Sequence, residues 1–280
     1  MFLQFHNVSY AYPNQEGYAV RDLRFSVNRG EFLGILGADD AGKSTIVKLA
    51  NGILPPSHGQ VRVAGAVVEQ NETLYALRQK VGVVFADPEN QIVGMTVEED
   101  VAFGLGNLCV PPAEMRRRVK TYLERVGLWQ YATRAPSQLS GGEQQKLCIA
   151  GVLAMEPECL ILDEPLTFLD YTGRQEILDL LVELNASGMT MIYLTSDPEE
   201  LSHADRIIVL QKGMILTECL AKTLWNDLAL IEKAGIVPSD LMIFRDTLRK
   251  QGYSIRDDSR TPEAIARDIC APGKPQSKLR

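Results

Sequence analysis

The chain has 280 residues and 31.0 kDa, with 29 basic against 36 acidic side chains, a formal net charge of −7 and a pI near 5.2. Its 45% hydrophobic and 23% charged residues exclude a disordered chain and leave ample length for a buried core. The acidic balance supplies no field for gripping a polyphosphate backbone, which excludes nucleic acid as the main partner.

The first residues, MFLQFHNVSYAYP, lack a basic start and a small-residue cleavage site, and no apolar run approaches the roughly 18 residues of a membrane span. The expectation is a cytoplasmic chain that does not itself cross a membrane. Residues 2–30 and 60–69 carry short alternating patterns between turn residues, Pro13-Asn14, Asn28-Arg29-Gly30 and Ala64-Gly65, and predict an antiparallel β layer. Phe32 to Leu36, Val81 to Phe85, Leu160 to Leu162, Met191 to Leu194 and Ile207 to Leu210 are short and almost wholly apolar, as strands covered on both faces are.

Helical patterns lie between these strands. Thr96 with Glu99 forms a capping box ahead of a helix over 97–105, while Gly127 and Gly188 sit where left-handed caps would close helices over 113–126 and 173–186. The basic run Arg116 to Lys120 falls within the first of these and reads as a solvated helix face. The fold class is therefore α/β, with a mainly parallel core sheet, an antiparallel β layer and a mostly helical insertion over about 86–155. Helices over 221–234, 239–251 and 262–269 follow, with a frayed tail, so the domain expectation is 1–220 plus a C-terminal helical extension over 221–280. Cys109, Cys148, Cys159, Cys219 and Cys270 are odd in number and widely spaced, and with only three histidines they suggest reduced thiols instead of a zinc site or disulfide framework.

Directly after the strand at Phe32 comes Gly37-Ala38-Asp39-Asp40-Ala41-Gly42-Lys43-Ser44-Thr45, then a helical pattern from Ile46. This is the P-loop spacing in its strand-to-helix setting. Backbone N–H groups and the positive helix end cradle phosphates, Lys43 reaches the terminal phosphate oxygens, and the Ser44 hydroxyl suits a Mg²⁺ shell. About 120 residues on, Cys159-Leu160-Ile161-Leu162 delivers Asp163 and Glu164 at a strand end. Asp163 suits the metal, and Glu164 suits orienting and deprotonating an attacking water.

Between these two motifs, Leu139-Ser140-Gly141-Gly142-Glu143 opens a helix running to Ala154, with Ser140 as N-cap. Read alone it is either a capped helix or a second anion cradle. In order with the P-loop and the Asp-Glu strand, over about residues 1–218, it resembles the ATP-binding cassette (ABC) ATPases, and Val84-Phe85-Ala86-Asp87-Pro88-Glu89-Asn90-Gln91 through Val101-Ala102-Phe103-Gly104 is most similar to the energy-coupling factor (ECF) and cobalt-type importers. The resemblance implies ATP and Mg²⁺ as cofactors, ATP hydrolysis that powers solute uptake, and a site on the cytoplasmic face of the cell membrane. It also implies a second ABC ATPase subunit, in a homo- or heterodimer, and transmembrane transporter subunits. Leu139, Ser140, Gly141 and Gly142 would complete the partner's nucleotide site, and Asp170 would lie in the D-loop that contacts the partner. Tyr12 is either the aromatic that stacks on adenine or a core tyrosine of the β layer. The apolar Ile92-Val93-Gly94-Met95 either meets the transmembrane subunits or packs on the helical insertion.

Three departures from the family fall on one site. Asp39-Asp40 stands where relatives carry Asn-Gly or Ser-Gly. Each of these carboxylates, about 5 Å from a phosphate charge at an effective dielectric near 20, costs roughly 3 kcal/mol before screening and metal compensation. If Asp40 needs a positive φ, aspartate adopts it at modest cost, which leaves electrostatics as the main penalty. Ala86 replaces the Q-loop glutamine and Ser196 the switch histidine, so neither position offers the family's polar group. Lys43, Ser44, Asp163, Glu164 and Asp170 are in place. The pattern predicts one half of an asymmetric dimer, with its own site impaired and its signature serving the partner. The alternatives are a soluble ABC protein outside transport, and a scaffold subunit with a degenerate nucleotide site.

Overall fold

A computed structural model describes residues 1–13, 15–69, 73–257, 259 and 261–270; the tail over 271–280 lies outside the described residues. The strands are β1 (Leu3–Tyr10), β2 (Val20–Val27), β3 (Phe32–Gly37), β4 (His58–Val63), β5 (Ala66–Val67), β6 (Val81–Val84), β7 (Cys159–Asp163), β8 (Thr190–Thr195), β9 (Arg206–Gln211) and β10 (Met214–Cys219). The helices are α1 (Lys43–Ala50), α2 (Thr73–Lys80), α3 (Val97–Asn107), α4 (Pro112–Arg125), α5 (Gly141–Ala154), α6 (Tyr171–Ala186), α7 (Ala221–Leu224), α8 (Leu228–Lys233), α9 (Asp240–Lys250) and α10 (Pro262–Cys270).

The larger sheet runs β10-β9-β3-β8-β7-β6, parallel from β9 to β6, with β10 an antiparallel edge. The smaller sheet, β2-β1-β4-β5, is antiparallel throughout, as the alternating N-terminal patterns predict. Strand alternation divides the core between two layers. Cys159 and Ile161 of β7, with Leu33 and Ile35 of β3, face α1 and the antiparallel sheet, whereas Leu160 and Leu162, with Phe32 and Leu36, face α3, α5 and α6. Because β3 sits between β8 and β9, its carboxyl end opens near the middle of the larger sheet, beside the ends of β7 and β8. Ligands of open parallel sheets bind at such strand ends.

Local differences from the sequence expectation have physical causes. The strand expected over 81–85 stops at Val84, since the Phe85 N–H goes to the Gln91 side chain at 3.0 Å and not to a neighbouring strand. The helix expected over 221–234 is two helices, because the Asp227 carboxylate caps the Leu230 N–H at 2.9 Å and starts a new one while Trp225 turns into the core. Strand β10 has only partly buried or exposed residues, an edge pattern that carries little periodic signal, and α2 is likewise weakly patterned. The two halves of the expected C-terminal extension pack differently: Ala221, Leu224, Trp225, Ile231 and Met242 join the main helical core, and Leu248, Ile255 and Ile265 form a small cluster apart from it.

Candidate functional site

The turn after β3 folds as its glycines require. Gly42 has φ +100°, and a Cβ there would lie 2.8 Å from the Ala19 carbonyl, so no other residue fits without displacing backbone. Asp40 does adopt positive φ, 60°, in the left-handed region that aspartate tolerates. Helix α1 begins at Lys43 with no side-chain cap and no acidic residue in its first turn, which leaves its first N–H groups available to an anion. These residues line a cleft of about 920 Å³, with Asp39, Asp40, Gly42, Lys43, Ser44 and Thr45 on one wall and Tyr12, Tyr18, Glu164 and Lys212 around it. Gly37, the last residue of β3, and Ala38 and Ala41 belong to the same loop but do not line the cleft.

Lys43 is buried, and its ammonium donates to the carbonyls of Gly37 at 2.6 Å and Ala38 at 2.9 Å. It also lies 3.2 Å from Glu164 Oε1, an ion pair without hydrogen-bond alignment. Glu164 itself sits at φ +49°, with its N–H donated to Leu194 O at 2.9 Å. Burial pushes its carboxyl above the usual range, against the pull of the Lys43 ammonium. Asp163, on the same strand end, is buried, and burial raises its carboxyl too, opposed by a hydrogen bond from Ser44 and the charge of Lys43. Its Oδ1 has no hydrogen-bond partner. A hydroxyl beside a buried carboxylate with one free oxygen fits a hard divalent cation that draws its other oxygens from phosphate and water. Among the described residues no group of three or more His, Cys, Asp or Glu side chains is placed to hold a metal.

Tyr12 is half-buried, and both of its expected roles have a structural basis. Its ring lines the cleft, yet it also packs edge-on against Tyr10 at 5.0 Å, and its hydroxyl lies 3.3 Å from Thr45 Oγ1. Ala86 and Ser196 follow the ends of β6 and β8, as expected of a Q-loop and a switch position, but neither lines the cleft. Next to Ala86, Gln91 is tied to Phe85 N and Val83 O, at 3.0 and 3.3 Å, and the buried Gln145 donates to Phe85 O at 3.4 Å. The glutamines in that region thus serve the backbone.

Helix α5 opens with a complete capping box. Ser140 Oγ accepts from Glu143 N at 3.3 Å, and the Glu143 carboxylate accepts from Ser140 N at 2.8 Å and Ser140 Oγ at 2.9 Å. Leu139 anchors the turn from the core. Gly141 and Gly142 lie against Phe168 and Leu169: a Cβ on Gly142 would sit 3.2 Å from Phe168 O, so the glycines permit a close backbone approach. Asp170 caps α6 by accepting from Gly173 N at 2.8 Å. Residues 139–142 therefore adjoin the chain's own 168–170 turn, and not the cleft lined by its Lys43.

Several residues of this region escape sequence reasoning. Thr195 Oγ1 lies 2.8 Å from Glu200 Oε2 and 3.4 Å from Glu164 Oε2, and Tyr193 donates to Glu200 Oε2 at 3.0 Å. Arg174 reaches Glu200 at 3.6 Å and Asp197 at 3.7 Å, and donates to Leu169 O at 3.2 Å. Nothing in Pro198-Glu199-Glu200-Leu201 marks which glutamate is buried. Lys212 sits on the β9–β10 hairpin, whose edge strand β10 carries little periodic signal.

In comparisons with known proteins, a sequence profile described as ABC transporter matches residues 20–167. The energy-coupling factor transporter ATP-binding protein EcfA of Methanosarcina acetivorans is 40% identical over 269 residues, 96% of this chain and 97% of that protein. The cobalt import ATP-binding protein CbiO of Syntrophus aciditrophicus is 37% identical over 271 residues, 96% of each. Among solved structures, CbiO1 from Clostridium perfringens, described as part of an ABC transporter complex, superimposes with a TM-score of 0.73 at 34% identity, covering 83% of this chain and 93% of that one. A dimeric ATP-binding cassette in a post-hydrolysis state bound to ADP and Pi gives 0.74 at 30% identity, covering 78% and 98%.

Proposed function

Because the chain belongs to the ABC transporter family of ATPases, we propose that it is the ATP-binding subunit of an ECF- or cobalt-type importer, and one half of an asymmetric dimer. In this reading it lies on the cytoplasmic face of the membrane and couples hydrolysis to uptake through separate transmembrane subunits; among the described residues no helix is long and apolar enough to cross a membrane. Domain 1–220 carries the chemistry, its helical part over 86–155 meets the membrane subunits, and 221–280 supports subunit association. The exposure of Val93, Met95 and Phe103, with Ile92 packed inward, favours a coupling face there.

The chain's own site binds ATP on the backbone of residues 37–45, with Tyr12 against the base and Lys43 on the terminal phosphates. Ser44 and Asp163 hold Mg²⁺, which neutralises phosphate charge when bound. Glu164 orients water, and Asp39, Asp40, Ala86 and Ser196 weaken affinity and slow turnover at that site. The signature, Leu139 to Gly142, serves the partner's phosphates, and Asp170 lies at the shared interface.

The observation that carries this reading is the separation of the two half-sites. Residues 139–142 adjoin the 168–170 turn, whereas Lys43, Ser44 and Glu164 line a cleft elsewhere, so each half needs a second cassette to complete it. Ser140→Arg tests it by filling the anion cradle. The expected result is lost hydrolysis at the partner's site with this chain's own ATP affinity retained, measured in the reconstituted dimer. Partner activity that survives the substitution, or turnover of the isolated chain at the full rate of an intact cassette, would overturn the asymmetric reading.

A further inference from the structure

Glu200 is the buried acidic group in this region that the phosphate site does not use. It is 7% exposed and lies on the turn after β8, and its contacts converge on a single point. Its Oε2 accepts two hydrogen bonds, from Tyr193 at 3.0 Å and Thr195 at 2.8 Å. Its Oε1 faces Arg174 at 3.6 Å, and Arg174 in turn donates to Leu169 O, one residue before Asp170. Thr195 Oγ1 accepts from Asp197 N at 3.0 Å and lies 3.4 Å from Glu164 Oε2.

A hydroxyl has one proton and two lone pairs. The Thr195 proton is shared between two carboxylate oxygens, Glu200 Oε2 at 2.8 Å and, more weakly, Glu164 Oε2 at 3.4 Å, while the Asp197 N–H occupies one lone pair. The rotamer of Thr195 is thereby fixed from two sides, with its hydroxyl directed at Glu164 as well as Glu200. Glu164 is braced by just two side chains in the contacts above, Lys43 on Oε1 and Thr195 on Oε2. A triphosphate drawn to Lys43 competes with Glu164 for that ammonium, and Thr195 is the contact that remains. Ser196 follows immediately, so the turn that would carry a switch residue is pinned by the same carboxylate.

We propose that Glu200 is a positioning residue for hydrolysis, which holds the Thr195 hydroxyl so that Glu164 keeps its place when Lys43 engages phosphate. The assignment rests on the reading of Glu164 as the residue that orients water. Arg174 extends the link to the 168–170 turn, so displacement of that turn reaches Glu164 through Glu200 and Thr195.

The test measures ATP turnover, KM and, separately, ATP affinity by titration, on the reconstituted dimer with Mg²⁺ and with the partner's own nucleotide site inactivated. The variants are Thr195→Val, Thr195→Ser, Glu200→Leu and Glu164→Gln. Thr195→Val and Glu200→Leu, which removes the acceptor of the Thr195 hydroxyl, are expected to lower kcat about 10- to 100-fold, with ATP affinity changed less than about 2-fold, as misplacement of one reacting group does. Thr195→Ser, which restores the hydroxyl, recovers most of the loss. In a Glu164→Gln background Thr195→Val adds no further loss, because both act through one carboxylate. Parallel loss of affinity and turnover, or an undiminished effect of Thr195→Val in that background, assigns the contacts to stability alone and overturns the proposal. Unchanged kcat in both variants overturns it too, while leaving the hydrolytic reading intact. Wild-type turnover no higher than Glu164→Gln overturns the hydrolytic reading and this inference with it.

Discussion

Glu200→Gln has a consequence for stability, which is readable without any nucleotide. Burial pushes the Glu200 carboxyl from its ordinary 4.5 up to about 7, Asp197 acts in the same direction, and Thr195, Tyr193 and Arg174 oppose them. The folded chain thus prefers the neutral acid. Its contribution to stability is fully present below the unfolded value and is lost as pH rises through the folded one. The shift from 4.5 to about 7 corresponds to roughly 3 kcal/mol, lost between about pH 4.5 and pH 7. Glutamine keeps an acceptor for both hydroxyls, so Thr195 stays held, but it cannot ionise and escapes this loss. The melting temperature of Glu200→Gln relative to wild type should therefore rise by about 6 °C or more between pH 5 and pH 8 at constant ionic strength. The subtraction cancels other titrating groups, including the raised Asp163 and Glu164, that both proteins share. Parallel melting curves across that range would refute the reasoning, and would mean that Arg174 keeps Glu200 ionised in the folded protein.

Replacing Asp39 and Asp40 by Asn and Gly should tighten ATP binding by about 10- to 100-fold, read by titration with Mg²⁺, because it removes two carboxylates from the cleft wall and relieves the positive φ at Asp40. Unchanged affinity would show that the acidic loop is tolerated. Asp163→Asn should abolish most of the gain in ATP affinity that Mg²⁺ gives, with metal-free binding little changed; titrations with Mg²⁺ and with EDTA decide it. Val93→Ser with Met95→Ser should leave the melting temperature within about 1 °C, since both side chains are largely exposed. The same pair should weaken co-purification with the membrane subunits, and undiminished recovery would remove this loop from the coupling face.

Motifs built into the backbone were legible in the sequence. The capping boxes at Thr96 and Ser140 form as their spacing predicts, and Gly42, Gly127 and Gly188 hold positive φ. Such features are local, so a few adjacent residues determine them. What was not legible depends on distant packing. Glu199 and Glu200 are indistinguishable in sequence, and only the placement of β8 and α6 buries one of them against Tyr193 and Arg174. The break at Trp225-Asn226-Asp227 was missed for a related reason. The pull of the core on Trp225 and the Asp227 cap together outweigh continued helix, and neither is periodic.

In the proposed asymmetric dimer, this chain's departures and its signature fall in different parts of the fold. Asp39 and Asp40 line the cleft after β3, and Ala86 and Ser196 follow the ends of β6 and β8 outside that lining, whereas residues 139–142 open α5 against the 168–170 turn. The two regions share the α/β core but no contact among their functional side chains described above, so substitutions at one leave the backbone of the other undisturbed. Arg174 bridges them in part, since it binds Leu169 O on the signature side and Glu200 on the phosphate side. Under that proposal, the network from Leu169 through Arg174, Glu200 and Thr195 to Glu164 links the 168–170 turn to the residue proposed to orient water.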